Sequence, residues 1–217
     1  MSTRPKVKVC GLTRPEDARA ATRLGVDYLG AIFFSKSPRC VRAEALDKLI
    51  DAMPDGKRVM VDVSPDAAAL EERLAMGFDF FQIHFDAGAT PRETVAGWAT
   101  TVGRERLWLA PHLKPEDALP DFLFDYAGTL FMDTYKPGVY GGTGETGEWV
   151  RFAWLKAARP TTRIALAGGL GPENIAAALD ITSADLIDFN SGVETTPGVK
   201  DAAKIAAVMR ILYERFG

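Results

Sequence analysis

The chain has 217 residues, with 26 lysines and arginines against 29 aspartates and glutamates, for a formal net charge of -3 at pH 7. This balance argues against a nucleic-acid binder, and no apolar stretch approaches the length of a membrane span. Two cysteines and no apolar leader region lead us to expect a cytoplasmic protein. With two histidines and no clustered ligand spacing, we expect no metal site.

Eight strand-loop-helix units follow one another along the chain. The first strand is predicted at residues 6–10, where Val7 and Val9 alternate with more polar residues. Thr13 is predicted to cap the next helix, with Pro15 in its first turn. The other strands are predicted at residues 28–34, 59–63, 80–84, 107–110, 130–133, 164–167 and 186–189.

Helical spacing or a helix-start signature follows these strands. Helices are predicted at residues 43–53, after Ser64-Pro65, from Thr90 to Val102, at residues 149–158, after residues 171–174 and at residues 202–212. Pro120 interrupts residues 115–126, so a short or broken helix is expected there. A polar, glycine-rich loop is expected at residues 134–147. Eight units of about 27 residues predict an α/β fold, a single (β/α)8 (TIM) barrel in one domain over residues 1–217.

Side chains at the carboxyl ends of barrel strands meet at one mouth, where chemistry is usually found. Strand alternation decides which of them point inward. If Val7 and Val9 face the helices, the residues between and after them face the interior. The polar side chains predicted to face inward on this basis are Lys8, Cys10, Gln82, His84, Asp133 and Asp188.

Two glycine-containing loops end the seventh and eighth predicted strands. Gly168-Gly169 and Ser191-Gly192 are in adjacent units, where a barrel commonly holds a phosphate with backbone N–H groups. We favour a phosphate cradle, with two ordinary glycine turns as the alternative. Arg39, in the loop after the second strand, is in a position to clamp a carboxylate with two parallel hydrogen bonds.

Taken together, these motifs resemble the phosphoribosylanthranilate isomerase family of tryptophan biosynthesis. The resemblance is carried by Lys8-Val9-Cys10-Gly11-Leu12-Thr13, Ser37-Pro38-Arg39, Gln82-Ile83-His84, Asp133 with Tyr140-Gly141-Gly142-Thr143-Gly144, Trp149, Gly168-Gly169-Leu170, Pro172-Glu173-Asn174, and Ser191-Gly192-Val193-Glu194 with Pro197-Gly198-Val199-Lys200-Asp201. It implies a (β/α)8 barrel and an Amadori rearrangement of N-(5-phosphoribosyl)anthranilate, without metal or organic cofactor.

The resemblance also implies roles for particular residues. Asp133 is then the general acid that opens the sugar ring, and Cys10 is the general base that removes the C2′ proton. Arg39 is expected to hold the anthranilate carboxylate, and Gly169 with Ser191-Gly192 to hold the phosphate.

Four further residues complete the candidate site. Gly142 and Gly168 are included among the candidate substrate-binding residues, as are His84 and Asp188. For His84 the equal alternative is a packed interior histidine, and for Asp188 we favour pairing with Lys8, because a buried lysine needs a counter-charge. The same lysine is expected to supply a positive field that favours the Cys10 thiolate.

The chain departs from the family pattern at Phe85-Asp86-Ala87, at Ala110-Pro111-His112, at Glu145-Thr146-Gly147-Glu148 and at Asn190. These departures leave two alternatives open. One is a divergent member that acts on another phosphosugar, and the other is a non-catalytic phosphate-ligand-binding barrel. The expected partner is a small-molecule phosphosugar, with no nucleic acid or membrane, and the expected state is a monomer or homodimer.

Overall fold

Eight parallel strands close into a barrel in chain order, with the last strand pairing with the first. The computed structural model describes residues 3–114, 117–132 and 146–217, and the side chains of these ranges except 146–148. The barrel strands are β1 (Lys6–Val9), β2 (Tyr28–Ile32), β3 (Arg58–Val63), β4 (Phe80–Asp86), β5 (Leu107–His112), β6 (Thr129–Met132), β7 (Arg163–Leu166) and β8 (Leu186–Phe189). The prediction of a (β/α)8 barrel is confirmed.

Helices connect successive strands and cover the barrel. They are α1 (Pro15–Arg23), α2 (Ala43–Ala52), α3 (Ala67–Leu74), α4 (Arg92–Val102), α5 (Leu123–Tyr126), α6 (Thr146–Ala158), α7 (Ile175–Thr182) and α8 (Ala202–Phe216). The fifth helix has only four residues, as the proline at position 120 predicted. None of the helices in the described part of the chain is long and apolar enough to cross a membrane.

Two apolar layers follow from the period-two alternation of the strands. Val7 and Val9 pack in an outer layer together with helix residues such as Leu49 and Ile205. A second cluster comes only from strands and the residues next to them, and it includes Cys10. The predicted orientation of the first strand is therefore confirmed.

An aromatic cluster fills the inner layer. The Trp108 ring is 4.9 Å from that of Phe80, 5.0 Å from that of Tyr28 and 5.6 Å from that of Phe131, measured between centroids. Such rings bury a large apolar area in a restricted geometry. The interior is thus packed, and polar chemistry is confined to the few polar side chains that point into it.

Two predicted helix caps are wrong. The cap of α1 is Arg14, whose side chain makes no capping hydrogen bond, and the Thr13 hydroxyl instead donates to the Gly198 carbonyl over 2.6 Å. The cap of α3 is Asp66, whose carboxylate accepts from the Ala69 N–H over 2.8 Å, one residue beyond Ser64-Pro65. At α3 the side chain that accepts from the helix N–H marks the cap, whereas at α1 the Thr13 hydroxyl is used in a tertiary contact and no side chain caps the helix.

Strand ends also differ from the prediction. The second strand ends at Ile32, two residues early, whereas β4 extends to Asp86 and β5 to His112. Those extensions pair with each other, Phe85 with Pro111 and Asp86 with His112. Pairing between neighbouring strands, which sequence alone does not show, sets these boundaries.

A short antiparallel ribbon between β8 and α8 was not predicted. A single 3-10 turn over Ser191–Val193 leads into β9 (Glu194–Thr196), and β10 (Val199–Lys200) returns beside it. The turn between them contains Gly198, whose φ of 83° is in the left-handed region.

Candidate active site

A buried ion pair crosses the barrel interior beside Cys10. Lys8 is fully buried, and its Nζ lies 2.8 Å from Oδ2 of Asp188. Burial by itself lowers the pKa of Lys8, but the Asp188 carboxylate and, to a smaller extent, Cys10 raise that pKa above its ordinary value, so the ammonium is charged at pH 7. The predicted pairing of the two residues is confirmed. The second carboxylate oxygen, Oδ1, is buried and has no hydrogen-bond partner among the described residues.

The Cys10 thiol follows β1 at the carboxyl end of the barrel and is 4% exposed. Burial and the negative charge of Asp188 raise its pKa, and the positive charges of Lys8 and Lys200 offset this only in part. The pKa is therefore raised, and the thiol is protonated at pH 7 in the ligand-free barrel. The expectation that Lys8 stabilises the thiolate is right in sign but wrong in outcome, because desolvation is the larger effect.

Gln82 and His84 lie together on β4. Their Nε2 atoms are 2.9 Å apart. Burial and the positive charges of Lys8 and His112 lower the pKa of His84 to about 3, so the imidazole is neutral at pH 7. With the amide nitrogen of Gln82 as donor, the ring nitrogen Nε2 accepts and the proton is on Nδ1. The Oε1 atom of Gln82 is buried without a partner among the described side chains.

The loops after β7 and β8 meet, as predicted. Gly168 and Gly169 have φ values of 93° and 61°, which favour glycine. Asn174 braces this loop, because its Oδ1 accepts from the Gly171 N–H and its Nδ2 donates to the Gly169 carbonyl, each over 2.9 Å. The backbone of the loop is thereby held in one conformation.

Gly192 lies directly against the other loop. A Cβ atom on this residue would be 2.0 Å from the carbonyl oxygen of Leu170. This close approach alone requires glycine, so it is compatible with a phosphate cradle and also with tight packing of two turns. Ser191, next to it, is exposed.

Arg39 is tied to a residue that sequence reasoning did not single out as functional. Its Nε is 2.9 and 3.0 Å from the two carboxylate oxygens of Glu194, and its Nη2 is 2.7 Å from Oε2. Glu194 also accepts from Nζ of Lys200 over 2.7 Å. Arg39 is therefore part of a fixed ionic network at the mouth.

The sequence did contain a signal for this network. Glu194 and Lys200 flank Pro197-Gly198, and opposite charges on either side of such a turn indicate a hairpin with a cross-strand ion pair. The two residues are indeed register partners in the ribbon.

Two predicted site residues, Asp133 and Gly142, lie outside the described residues. On β6, Leu130 packs in the outer layer and Phe131 in the inner one. Elsewhere in the chain, over the residues that the structure does describe, no group of three or more His, Cys, Asp and Glu side chains is arranged to hold a metal ion.

A family model described as N-(5'-phosphoribosyl)anthranilate (PRA) isomerase matches residues 7–210. The chain belongs to this family. An N-(5'-phosphoribosyl)anthranilate isomerase from Zymomonas mobilis subsp. mobilis is 39% identical over 210 residues, 94% of this chain and 96% of the relative. The residues matched by the family model include both Cys10 and the ribbon with Lys200.

Solved structures of the phosphoribosylanthranilate isomerase family have the same fold. The chain is similar to TrpF from Jonesia denitrificans with a TM-score of 0.77 and 33% identity, covering 96% of this chain and 97% of that one. It is similar to the phosphoribosyl anthranilate isomerase of Thermus thermophilus with a TM-score of 0.76 and 29% identity, covering 97% and 99%. The chain thus spans essentially the whole barrel of an enzyme family.

Proposed function

We propose that this protein converts N-(5-phosphoribosyl)anthranilate into 1-(2-carboxyphenylamino)-1-deoxyribulose 5-phosphate, the Amadori step of tryptophan biosynthesis. The observation that carries the proposal is the Cys10 thiol at the end of β1, beside the Lys8 ammonium, in a chain that matches the isomerase family across residues 7–210. A phosphate-binding barrel without catalysis needs no such buried thiol.

The proposed reaction needs one acid and one base. Asp133 protonates the ring oxygen while the nitrogen lone pair forms a C1′=N bond, so the furanose opens to a cationic Schiff base. Cys10 then removes the proton from C2′, and the electron pair of that C–H bond forms the enolamine. The enolamine takes a proton at C1′ and loses the proton of its C2′ hydroxyl group, which gives the ketone and leaves the atoms and electrons of the substrate unchanged in number.

The buried thiol is suited to act late in this sequence. Its pKa is raised in the ligand-free barrel, chiefly by burial. A cationic Schiff base beside it stabilises the thiolate and also acidifies the C2′ proton. We therefore propose that Cys10 becomes a base only after the ring has opened.

Groups at the mouth suit the two anionic ends of the substrate. Arg39 is proposed to bind the carboxylate, and the touching loops at Gly169 and Ser191-Gly192 to bind the phosphate through backbone N–H groups. Asp188 has a buried oxygen without a described partner, which suits a sugar hydroxyl. His84, as a neutral imidazole, is proposed to contact substrate by hydrogen bonding rather than by charge.

Turnover of freshly prepared N-(5-phosphoribosyl)anthranilate, followed by its fluorescence, tests the proposal. Wild type is compared with Cys10→Ala and Asp133→Asn, and Cys40→Ala is the matched control because it removes the other, half-buried cysteine. We expect kcat to fall at least about a hundredfold in the first two variants and to stay near wild type in the third. An inactive wild type, or an active Cys10→Ala enzyme, would overturn the proposal.

A further inference from the structure

The ionic network around Arg39 is built more firmly than a surface salt bridge. The Glu194 side chain is 4% exposed and that of Lys200 is 1% exposed. Glu194 Oε1 also accepts from the Gly198 N–H over 3.1 Å. Burial alone raises the pKa of Glu194, but the hydrogen bonds and charges of Arg39 and Lys200 hold it below its ordinary value. The carboxylate is therefore ionised at pH 7.

Arg39 uses only one edge of its guanidinium on this partner. The bonds to Glu194 engage Nε and Nη2, whereas Nη1 donates no hydrogen bond within the described residues. A guanidinium has five N–H donors in a planar fork, so the edge formed by Nη1 and Nη2 keeps donors for a second carboxylate. Pairing with Glu194 thus orients Arg39 without exhausting it.

Lys200 links Glu194 to two other parts of the barrel. Its Nζ lies 2.7 Å from Glu194 Oε1, 2.9 Å from Asn190 Oδ1 and 3.3 Å from the Asn190 carbonyl. Three acceptors occupy the three ammonium hydrogens. The Lys200 N–H also donates to Asp17 on α1 over 3.0 Å. Glu194 is thereby fixed to the end of β8 and to the first helix.

The charges of the network match the proposed ligand. Burial lowers the pKa of Lys200 and the Glu194 carboxylate opposes this effect. With Lys200 protonated, Arg39 and Lys200 are positive and Glu194 is negative, which leaves one net positive charge. A single substrate carboxylate neutralises it. The net charge alone, however, does not orient a ligand, whereas a guanidinium held in one plane does.

We propose that Glu194 and Lys200 are positioning residues, which hold the Arg39 guanidinium so that its Nη1–Nη2 edge binds the substrate carboxylate and selects carboxylated arylamines. This inference rests on the proposed function, in which Arg39 is the carboxylate ligand. Neither Glu194 nor Lys200 touches the substrate in this scheme.

Two stable analogues measure the selection directly. One is the product with its ketone reduced to an alcohol, and the other is the same compound with phenyl in place of the carboxyphenyl group. The preference, defined as the ratio of their dissociation constants, is measured by calorimetry for wild type, Glu194→Gln and Lys200→Met. We expect the preference to fall about tenfold in both variants, because an Arg39 guanidinium in the wrong position no longer forms both hydrogen bonds to the substrate carboxylate.

The two variants separate positioning from simple electrostatics. Glu194→Gln makes the network more positive, whereas Lys200→Met makes it less positive. If net charge decided affinity, the preference would rise in the first variant and fall in the second, and that result would overturn the inference. Turnover adds a second readout, since Glu194→Gln is expected to raise KM about tenfold and to change kcat less than about threefold.

The controls keep this test independent of folding and of the proposed function. Asp62→Asn removes another buried carboxylate paired with an arginine, Arg73 at 3.1 Å, and should leave the preference unchanged. If Glu194→Gln does not fold, Glu194→Asp keeps the charge on a shorter arm and should show the same loss. In an Arg39→Met background, Glu194→Gln should have no further effect. A wild type without preference overturns the role of Arg39, whereas a preference that survives Glu194→Gln overturns only this inference.

Discussion

At the residue scale, opposing effects set the pKa of the Cys10 thiol. Burial and the charge of Asp188 raise its pKa, and the cations Lys8 and Lys200 offset this only in part. A permanently ionised thiolate would be a target for oxidation, since reactivity follows thiolate character. In the proposed reaction, a thiol that ionises only beside the cationic Schiff base avoids that, and the same burial that suppresses ionisation keeps water away from the proposed base.

The raised pKa of Cys10 is directly testable. In the Cys40→Ala protein, the ultraviolet absorbance of the thiolate is titrated against pH, and the Cys10→Ala/Cys40→Ala protein is subtracted as the blank. Because the folded pKa is raised, the thiolate signal should be absent at pH 7 and appear with a midpoint above the ordinary value of about 8.5. A signal that is already complete below pH 8 would contradict this account.

At the element scale, the loops after β7 and β8 behave as one unit. Gly192 touches Leu170, and Asn174 holds the β7 loop from the start of α7. The ribbon of β9 and β10 continues this unit toward Arg39 and is fastened to Thr13 through Gly198. In the proposed complex, the phosphate and the carboxylate of the substrate therefore bind to consecutive parts of one segment.

Replacing Gly192 by alanine should disrupt this unit. The new Cβ would be 2.0 Å from a backbone oxygen, so the loops must separate, at a cost of about 1–3 kcal/mol in the free energy of unfolding. The substrate KM should rise, because the proposed phosphate cradle opens.

Gly97→Ala provides the matched control. Gly97 is exposed within α4, and nothing lies within 4 Å of its added Cβ, so this variant should gain about 0.5–1 kcal/mol and keep its KM. Thermal unfolding and steady-state kinetics of both proteins check the prediction. A Gly192→Ala protein as stable as wild type would argue against loop packing of this kind.

At the scale of the whole molecule, the Lys8–Asp188 pair lies where the barrel closes. These two residues are register partners between β1 and β8 as well as an ion pair across the seam. The pair thus joins the first and last strands, which are 180 residues apart in the chain. It also places a buried ion pair next to Cys10.

Removing one partner of this ion pair should lower the free energy of unfolding. Lys8→Met leaves the buried Asp188 carboxylate without its counter-charge, so we expect a loss of about 3–5 kcal/mol in the free energy of unfolding. The double variant Lys8→Met/Asp188→Leu should recover most of this stability, since apolar residues fit the interior, but should remain inactive. Urea unfolding and turnover assays check both expectations, and a double variant no more stable than Lys8→Met would contradict them.

Much of the site was predictable because it follows from periodicity. Alternation in the first strand put Lys8 and Cys10 in the interior, and the need for a counter-charge predicted Asp188 as the partner of Lys8; the structure confirms both. The roles of Cys10, Asp133 and the phosphate loops stay predictions. The Thr13 cap was wrong because its hydroxyl finds a partner in a ribbon 185 residues away.

The sequence by itself determined the barrel, its eight units and the inward orientation of Lys8 and Cys10, because these depend on local patterns that repeat along the chain. The family was indicated by the resemblance of its motifs. Only the tertiary structure decided the Arg39–Glu194–Lys200 network, the contact of Gly192 with Leu170 and the direction of the Cys10 pKa shift. Each of these depends on distances between residues from different units and on how completely they are removed from water, and a linear pattern contains neither quantity.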